Sequence, residues 1–221
     1  MNKTLLPIVV DLETSGLSME KCGIWQIGAI DLNTKEEFLQ DSRIDDEDEI
    51  NENSLKVTGK TEDELRNPKE QSQKEMLEIF FRWIEKRKFR IFLCQNPQFD
   101  IGFLWVKADK YNLKRTFQYR AFDTHTIAQI KYFDTYNKFF IKQSKDANSY
   151  ESNMNLSNVL KFCGIPDERI ELKGREVVHD GKPHNALEDC KLTAECFYRL
   201  MFGENLFPEY SQHEIPEVLI K

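Results

Sequence analysis

The 221-residue sequence predicts one α/β domain, a mixed five-stranded sheet with helices on both faces. Three observations carry this reading. Three strand-like runs crowd the first 41 residues, two further strand-like runs alternate with helical ones, and a 40% hydrophobic composition with nine glycines and seven prolines is enough for a single core. No low-complexity linker divides the chain and its halves do not repeat. The domain is expected over residues 1–203, with 204–221 as a C-terminal tail packed on it.

The first strand is expected over about residues 5–12, an almost unbroken apolar run rich in β-branched residues, as in a strand buried on both faces. Strands near 25–32 and 36–41 follow, then helices near 61–66 and 69–87. A fourth strand near 89–95 leads into a helix over 97–111, where Asn96 supplies an N-cap side chain and Pro97 a first helical residue that needs no N–H. A strand near 119–123, a helix near 155–163 and a last helix over 185–202, stopped by Gly203, complete the layout. Asn185 and Glu188 have the spacing of a capping box in variant form. The stretch from Tyr132 to Asn153 reads as a polar and aromatic insertion between strand and helix.

Five residues stand where this layout aims them at one place: Asp11, Glu13, Asp100, His184 and Asp189. Asp11 and Glu13 share a strand face with Val9, about 7 Å apart along the backbone, at the carboxyl end of the strand, where open α/β sheets hold ligands. Asp100 closes the first turn of its helix. Asp189 shares a helical stripe with Leu192, Cys196 and Leu200, and a carboxylate on an apolar wall needs a partner. His184 falls in a loop with Asp180, Gly181 and Pro183 and reads as a mobile loop residue rather than a ligand fixed on the helix. Four carboxylates brought together raise one another's pKa, so they either lie apart on the surface or hold cations.

Asp11-Leu-Glu13-Thr14, Asn96-x-x-Phe99-Asp100-x-x-Phe103-Leu104 and His184-x-Ala186-x-x-Asp189 together resemble the three motifs of the DEDDh 3′-to-5′ exonucleases, an RNase H-like group that includes the proofreading subunit of the bacterial replicative polymerase and RNase T. The weaker stretches WQIGAI at 25–30, VTGKT at 57–61, FDT at 122–124 and LSNVLKFCGI at 156–165 extend the resemblance over roughly residues 5–202. Each motif alone would be weak; three in order, each in fitting local structure, are specific. The chain departs from the family pattern at Cys94 and Gln95, where Gly-His or similar often precedes the motif Asn, and at Gln26, where Glu is common.

The resemblance implies release of nucleoside monophosphates from single-stranded DNA or RNA 3′ ends by phosphodiester hydrolysis with two Mg²⁺ or Mn²⁺ ions. Asp11, Glu13, Asp100 and Asp189 would be the metal ligands, Asp11 the best placed to bridge the ions, and His184 the general base. Thr14, Ser15, Gly16 and Leu17, helped by Asn96 and Phe103, would hold the terminal nucleotide, with Leu17 or Phe103 wedged against a base; plain core packing is the ordinary alternative for Phe103. A polymerase or other replication or repair partner is compatible with this reading. The contrasting class is a non-catalytic module of the same fold that binds nucleic-acid ends or a polymerase.

Net charge −7 and a pI near 5.3 are unusual for a protein that coats nucleic acid with a basic surface, and predict weak, non-processive binding through the strand end unless a partner helps. The acid-rich run from Asp45 to Glu52 reads as a solvated loop, Lys86 to Arg90 as a sheet edge, and Lys173, Gly174 and Arg175 as phosphate contacts. Five scattered cysteines with no Cys-x-x-Cys pair fit a reducing, cytoplasmic setting and neither a disulfide framework nor a zinc site. No run of the sequence is long and apolar enough to span a membrane.

Overall fold

The computed structural model describes residues 5–144, 148–173 and 176–220. Its main sheet has five strands in the order β3-β2-β1-β4-β5: β1 (Ile8–Thr14), β2 (Ile24–Asp31), β3 (Glu36–Asp41), β4 (Phe92–Cys94) and β5 (Phe122–Asp123). Strand β1 is central. It runs antiparallel to β2 and parallel to β4, so the sheet is mixed. The helices of the main chain path are α1 (Glu52–Thr58), α2 (Glu62–Leu65), α3 (Gln73–Glu85), α4 (Pro97–Lys110), α5 (Thr124–Tyr136), α6 (Leu156–Phe162) and α7 (Ala186–Phe202). Two hairpins complete it, β6 (Ile141–Gln143) with β7 (Tyr150–Ser152), and β8 (Glu171–Lys173) with β9 (Glu176–His179).

The chain forms two compact units. The first comprises Met1–Phe122 and Glu168–Cys190, the second Asp123–Asp167 and Lys191–Lys221. In the first, Ile8, Val10 and Leu12 alternate onto one face of β1 and pack with Ile27 and Ala29 of β2, Phe92 of β4, Met76, Leu77 and Phe80 of α3, and Phe103 and Leu104 of α4. Each such fully buried side chain contributes roughly 1.5–3 kcal/mol. That face belongs to the core; the opposite face of β1 carries Val9, Asp11 and Glu13. Helix α3 starts at a complete capping box between Ser72 and Glu75.

The second unit has its own core, built from Ala128 of α5, Val159 and Leu160 of α6, Cys163, Cys196 and Leu200 of α7, and Leu219 of the tail. Beneath it lies a buried ion pair: Arg199 Nε donates to Glu195 Oε1 at 3.0 Å, while its other nitrogens donate to the Cys163, Tyr210 and His213 carbonyls. Glu195 Oε2 accepts from the Leu206 and Phe207 N–H groups. The tail is thereby tied to α7 by polar bonds as well as by Leu219 and Tyr210.

Three expectations need correction. The 132–153 stretch is not merely a polar connection between strand and helix: its first residues end α5, a helix absent from the expected layout, and the β6–β7 hairpin follows, with Tyr132, Phe140 and Met154 packed into the second core. The run from Asp45 to Glu52 is not simply solvated. Asp48 is 3% exposed, with Lys107 Nζ 2.9 Å and Gln73 Nε2 2.5 Å from its carboxylate. Asp45 meets Lys110 and Tyr111; burial opposes its ionisation, but these bonds outweigh burial and hold it below the usual carboxylate range. Finally, helix α1 and the β8–β9 hairpin lie where no element was expected. All five cysteines are buried and none is in a disulfide. Among the described residues, no helix is long and apolar enough to cross a membrane.

Candidate active site

Asp11 and Glu13 leave β1 on one face and stand opposite Gly28 and Gln26 of β2 in the ladder. The register shifts between Glu13 and Thr14, a bulge where the strand leaves the sheet. Gly28 and Gln26 seat the start of α7 on this face. A Cβ at Gly28 would lie 2.3 Å from the Ala186 carbonyl carbon, so the close approach requires glycine. Gln26 Oε1 accepts from the Ala186 N–H at 2.8 Å, and Asn185 Oδ1 accepts from the Leu187 and Glu188 N–H groups at 3.1 and 3.3 Å. These bonds satisfy donors that a helix start leaves without intrahelical partners. Gln26, which departs from the family pattern, is thus a structural anchor of the helix that carries Asp189.

Parallel pairing of β4 with β1 sets the start of α4 at the same end of the sheet. The expected Asn96 side-chain cap is not made: Asn96 turns the chain at φ 67°, ψ 68°, and its side chain forms no cap hydrogen bond. Asparagine tolerates this left-handed backbone better than most residues, and Pro97 then begins the helix. Asp100, 3% exposed, accepts from its own N–H, from that of Leu12 and from the Cys94 thiol. Cys94, another departure from the family pattern, thus touches a site carboxylate rather than packing alone.

His184 is anchored, not mobile. Its N–H donates to the Val57 carbonyl at 2.9 Å, and its Nε2 lies 2.9 Å from the Ile170 carbonyl oxygen. A carbonyl oxygen only accepts, so Nε2 bears the proton of the neutral ring and Nδ1 keeps its lone pair. That Nδ1 lies 3.7 Å from Asp189 Oδ2. Glu13, His184 and Asp189 offer ligand atoms that all lie within 4.8 Å of one another.

Electrostatics bring Asp11 and Asp100 into the same group. Burial, then Asp189, Asp100 and Glu13, push the Asp11 carboxyl well up; burial and then Asp189 push Glu13 up to about 8. Asp100 rises to about 7 through burial, partly offset by its hydrogen bonds. Arg169, which nothing in the sequence singled out, opposes these rises at Asp11 and Glu13, and its Nη1 donates to Asp189 Oδ2 at 3.0 Å. Four carboxylates and an imidazole around so little cationic charge form a donor set that fits a hard, oxygen-liganded divalent cation.

Beside Glu13 opens a cleft of about 290 Å³ lined by Leu12, Glu13, Thr14, Gly16, Leu17, Asn51, Asn53, Ser54, Val57, Phe99 and Leu172. The Thr14–Leu17 loop forms one wall and is locked to α1: Ser54 Oγ donates to the Thr14 carbonyl, and the Asn51 N–H to that of Ser15 at 2.7 Å. Of the expected nucleotide-binding residues, Thr14, Gly16 and Leu17 line this cleft, with Leu17 82% exposed. Ser15 is fully buried, its hydroxyl donating to the Glu49 carbonyl and accepting from the Gly23 N–H. Phe103 is also fully buried in the core, so core packing accounts for it; Phe99, whose ring lies 4.8 Å from that of Phe103, reaches the cleft instead. The α1 residues and Leu172 were missed as site residues; Val57 opens the VTGKT stretch, but no motif marks Asn53, Ser54 or Leu172. Lys173 is exposed on β8; Gly174 and Arg175 lie outside the described residues.

The exonuclease family typified by RNase T matches residues 8–197. The chain belongs to the exonuclease family. Its three motifs are those of the DEDDh members, and its RNase H-like fold recurs in solved structures. The nuclease domain of 3′hExo, a DEDDh family member bound to rAMP, is 17% identical, with a TM-score of 0.59 and 96% of each chain covered. E. coli exonuclease I in complex with a dT13 oligonucleotide is 14% identical, with a TM-score of 0.63 over 87% of this chain and 40% of that one. The cell-death related nuclease 4 (CRN-4) is 15% identical, with a TM-score of 0.59 over 88% of this chain and 63% of that one. Among curated proteins, no sequence matches significantly.

Proposed function

We propose that this exonuclease-family member is a 3′-to-5′ exonuclease that releases nucleoside monophosphates from single-stranded DNA or RNA. The observation that carries the reading is the meeting of Glu13, His184 and Asp189 ligand atoms within 4.8 Å, beside a cleft large enough for a nucleotide, in a chain that the family spans from residue 8 to 197. Asp11, Glu13, Asp100 and Asp189 would hold two Mg²⁺ or Mn²⁺ ions. Bound there, such ions lower the pKa of water and offset charge on the phosphoryl oxygens.

The protein's own groups have separate tasks. His184 takes a proton at Nδ1, because Nε2 is committed to the Ile170 carbonyl. Asp189, 3.7 Å from Nδ1, favours the imidazolium that results. Thr14, Gly16 and Leu17 receive the terminal nucleotide, and the Phe99 ring offers a sequence-tolerant apolar face to its base. Asn96 and Ser15 serve by shaping the loops that carry these residues. Grip on the strand end alone fits a protein of net charge −7 that acts non-processively, with a polymerase or other repair partner supplying further hold in a cytoplasmic setting.

The test is a time course on 5′-labelled single-stranded DNA and RNA with Mg²⁺, Mn²⁺ or EDTA, comparing wild type with Asp11→Ala and His184→Ala. A metal-dependent ladder shortening from the 3′ end, lost by at least 10³-fold in Asp11→Ala, is expected. His184→Ala should lose about 10²–10⁴-fold. End binding without cleavage on either strand would instead establish the non-catalytic module.

A further inference from the structure

Arg169 is delivered to the carboxylates by backbone, not by chance reach from the surface. Its segment is bridged to Lys182: the Ile170 N–H donates to the Lys182 carbonyl at 2.9 Å, and the Lys182 N–H to that of Glu168 at 2.7 Å. Gly181 makes the approach possible, since a Cβ there would stand 2.3 Å from the Glu168 carbonyl oxygen and 2.7 Å from the Arg169 carbonyl carbon. The Arg169 side chain is only 11% exposed, and Asp189 6%. The next residue, Ile170, holds the His184 ring. A single short segment therefore supplies both the only guanidinium bonded to a site carboxylate among the described residues and the anchor of the proposed base.

We infer that Arg169 competes with divalent cations for Asp189 and so sets the metal affinity of the site, an inference that rests on the two-ion reading above. The bond at 3.0 Å occupies Asp189 Oδ2, the same oxygen that faces His184 Nδ1. A cation ligated there would meet a guanidinium within a few ångströms in a poorly hydrated site, where like charges repel strongly. Four carboxylates balance two divalent ions; a fixed fifth positive charge overbalances them until it moves off or an anion, such as the substrate phosphodiester, enters.

The experiment is calorimetric titration of Mn²⁺ into wild type, Arg169→Gln, Arg169→Lys and Asp189→Asn, without nucleic acid, with thermal melts of each in EDTA to establish folding. Arg169→Gln should bind Mn²⁺ about tenfold more tightly than wild type, within the range usual for coupled charges, and Arg169→Lys should stay closer to wild type. Equal or weaker binding by Arg169→Gln would overturn the inference while leaving the metal site intact, provided that Asp189→Asn loses Mn²⁺. If wild type and Arg169→Gln both ignore Mn²⁺, the metal reading falls and takes the inference with it. Should Arg169→Gln fail to fold, the wild-type ¹⁵N signals of the Arg169 guanidinium decide: restricted rotation against Asp189 must be released on titration with Mg²⁺, and a signal unchanged at saturation overturns the proposal.

Discussion

The protein buries acid groups in two contrasting ways. Asp48 sits 3% exposed with Lys107 Nζ at 2.9 Å, Lys110 Nζ at 3.8 Å and donors from Gln73 and the Asp45 backbone, so each charge meets a partner on the same chain. Glu195 and Arg199, fully buried in the second unit, do the same. The acids of the candidate site are buried too, apart from the half-buried Asp11, yet Asp11, Glu13 and Asp189 have among the described residues the field of one guanidinium, that of Arg169. A structural acid brings its own cation, whereas the proposed catalytic cluster would leave the charge for something that arrives. The deficit, not burial or acidity, separates the two.

The largest expected effect breaks the paired side. Arg199→Met strands Glu195 and should cost about 3–5 kcal/mol, the usual penalty for leaving a buried charge without its partner; Lys107→Met leaves Asp48 with only one cation, Lys110 Nζ at 3.8 Å, and should cost somewhat less. Urea unfolding in EDTA measures it. A loss under 1 kcal/mol for both would show that water enters these sites freely and that the contrast is overdrawn.

On the site side the sign should reverse. Glu13→Gln removes one of four mutually repelling carboxylates, so at pH 8.5 in EDTA it should stabilise the protein, by roughly 1–2 kcal/mol, while abolishing metal-dependent cleavage. A neutral amide that destabilised the metal-free protein as Lys107→Met does would place Glu13 with the structural acids.

The pH dependence follows from the same charges. Glu13 titrates at about 8 and Asp100 at about 7 in the folded protein, against ordinary values of 4.5 and 3.8. Between those limits the folded state binds more protons than the unfolded one, so stability in EDTA falls as pH rises and levels off above about 8. Bound cations demand the ionised form, so the rise in melting temperature produced by Mn²⁺ should grow from pH 5.5 to 8. A Mn²⁺ shift independent of pH would mean that these carboxylates are not the ligands.

How much of this was legible in the sequence depends on whether a residue acts locally. Asp11, Glu13, Asp100 and Asp189 could be read because strand alternation and helix starts are short-range patterns, and because motif spacing is linear. The five-stranded mixed sheet was legible for the same reason. Arg169 was not: it sits in an ordinary polar run, and only the bridge to Lys182 and the close pass over Gly181 aim it at Asp189. Asp48 was misread because its partners, Lys107 and Gln73, are remote in sequence, and an acid-rich run looks solvated unless those partners are known. Helix α1 and the β8–β9 hairpin escaped because each is short and polar; they gain their place from bonds such as Asn51 N–H to the Ser15 carbonyl and His184 N–H to that of Val57. Asn96 illustrates the middle case, with the right position and the wrong device: the left-handed turn, not a side-chain cap, starts α4.

The finest test of the contrast between structural and functional roles lies in two phenylalanines four residues apart on α4. Phe103 is fully buried against the sheet, while Phe99 lines the cleft beside Glu13, and their rings lie 4.8 Å apart. Phe103→Leu should therefore lower stability by about 1 kcal/mol, the scale of a conservative core change, and leave the KM for a short oligonucleotide unaltered. Phe99→Leu should raise that KM roughly fivefold, about 1 kcal/mol of lost stacking, with kcat little changed because no proton or cation is held by the ring. The two effects are similar in size but appear in different measurements. If Phe103→Leu moved KM and Phe99→Leu only stability, the cleft would not be where the terminal base rests, and the nucleotide would have to enter from another side of Glu13.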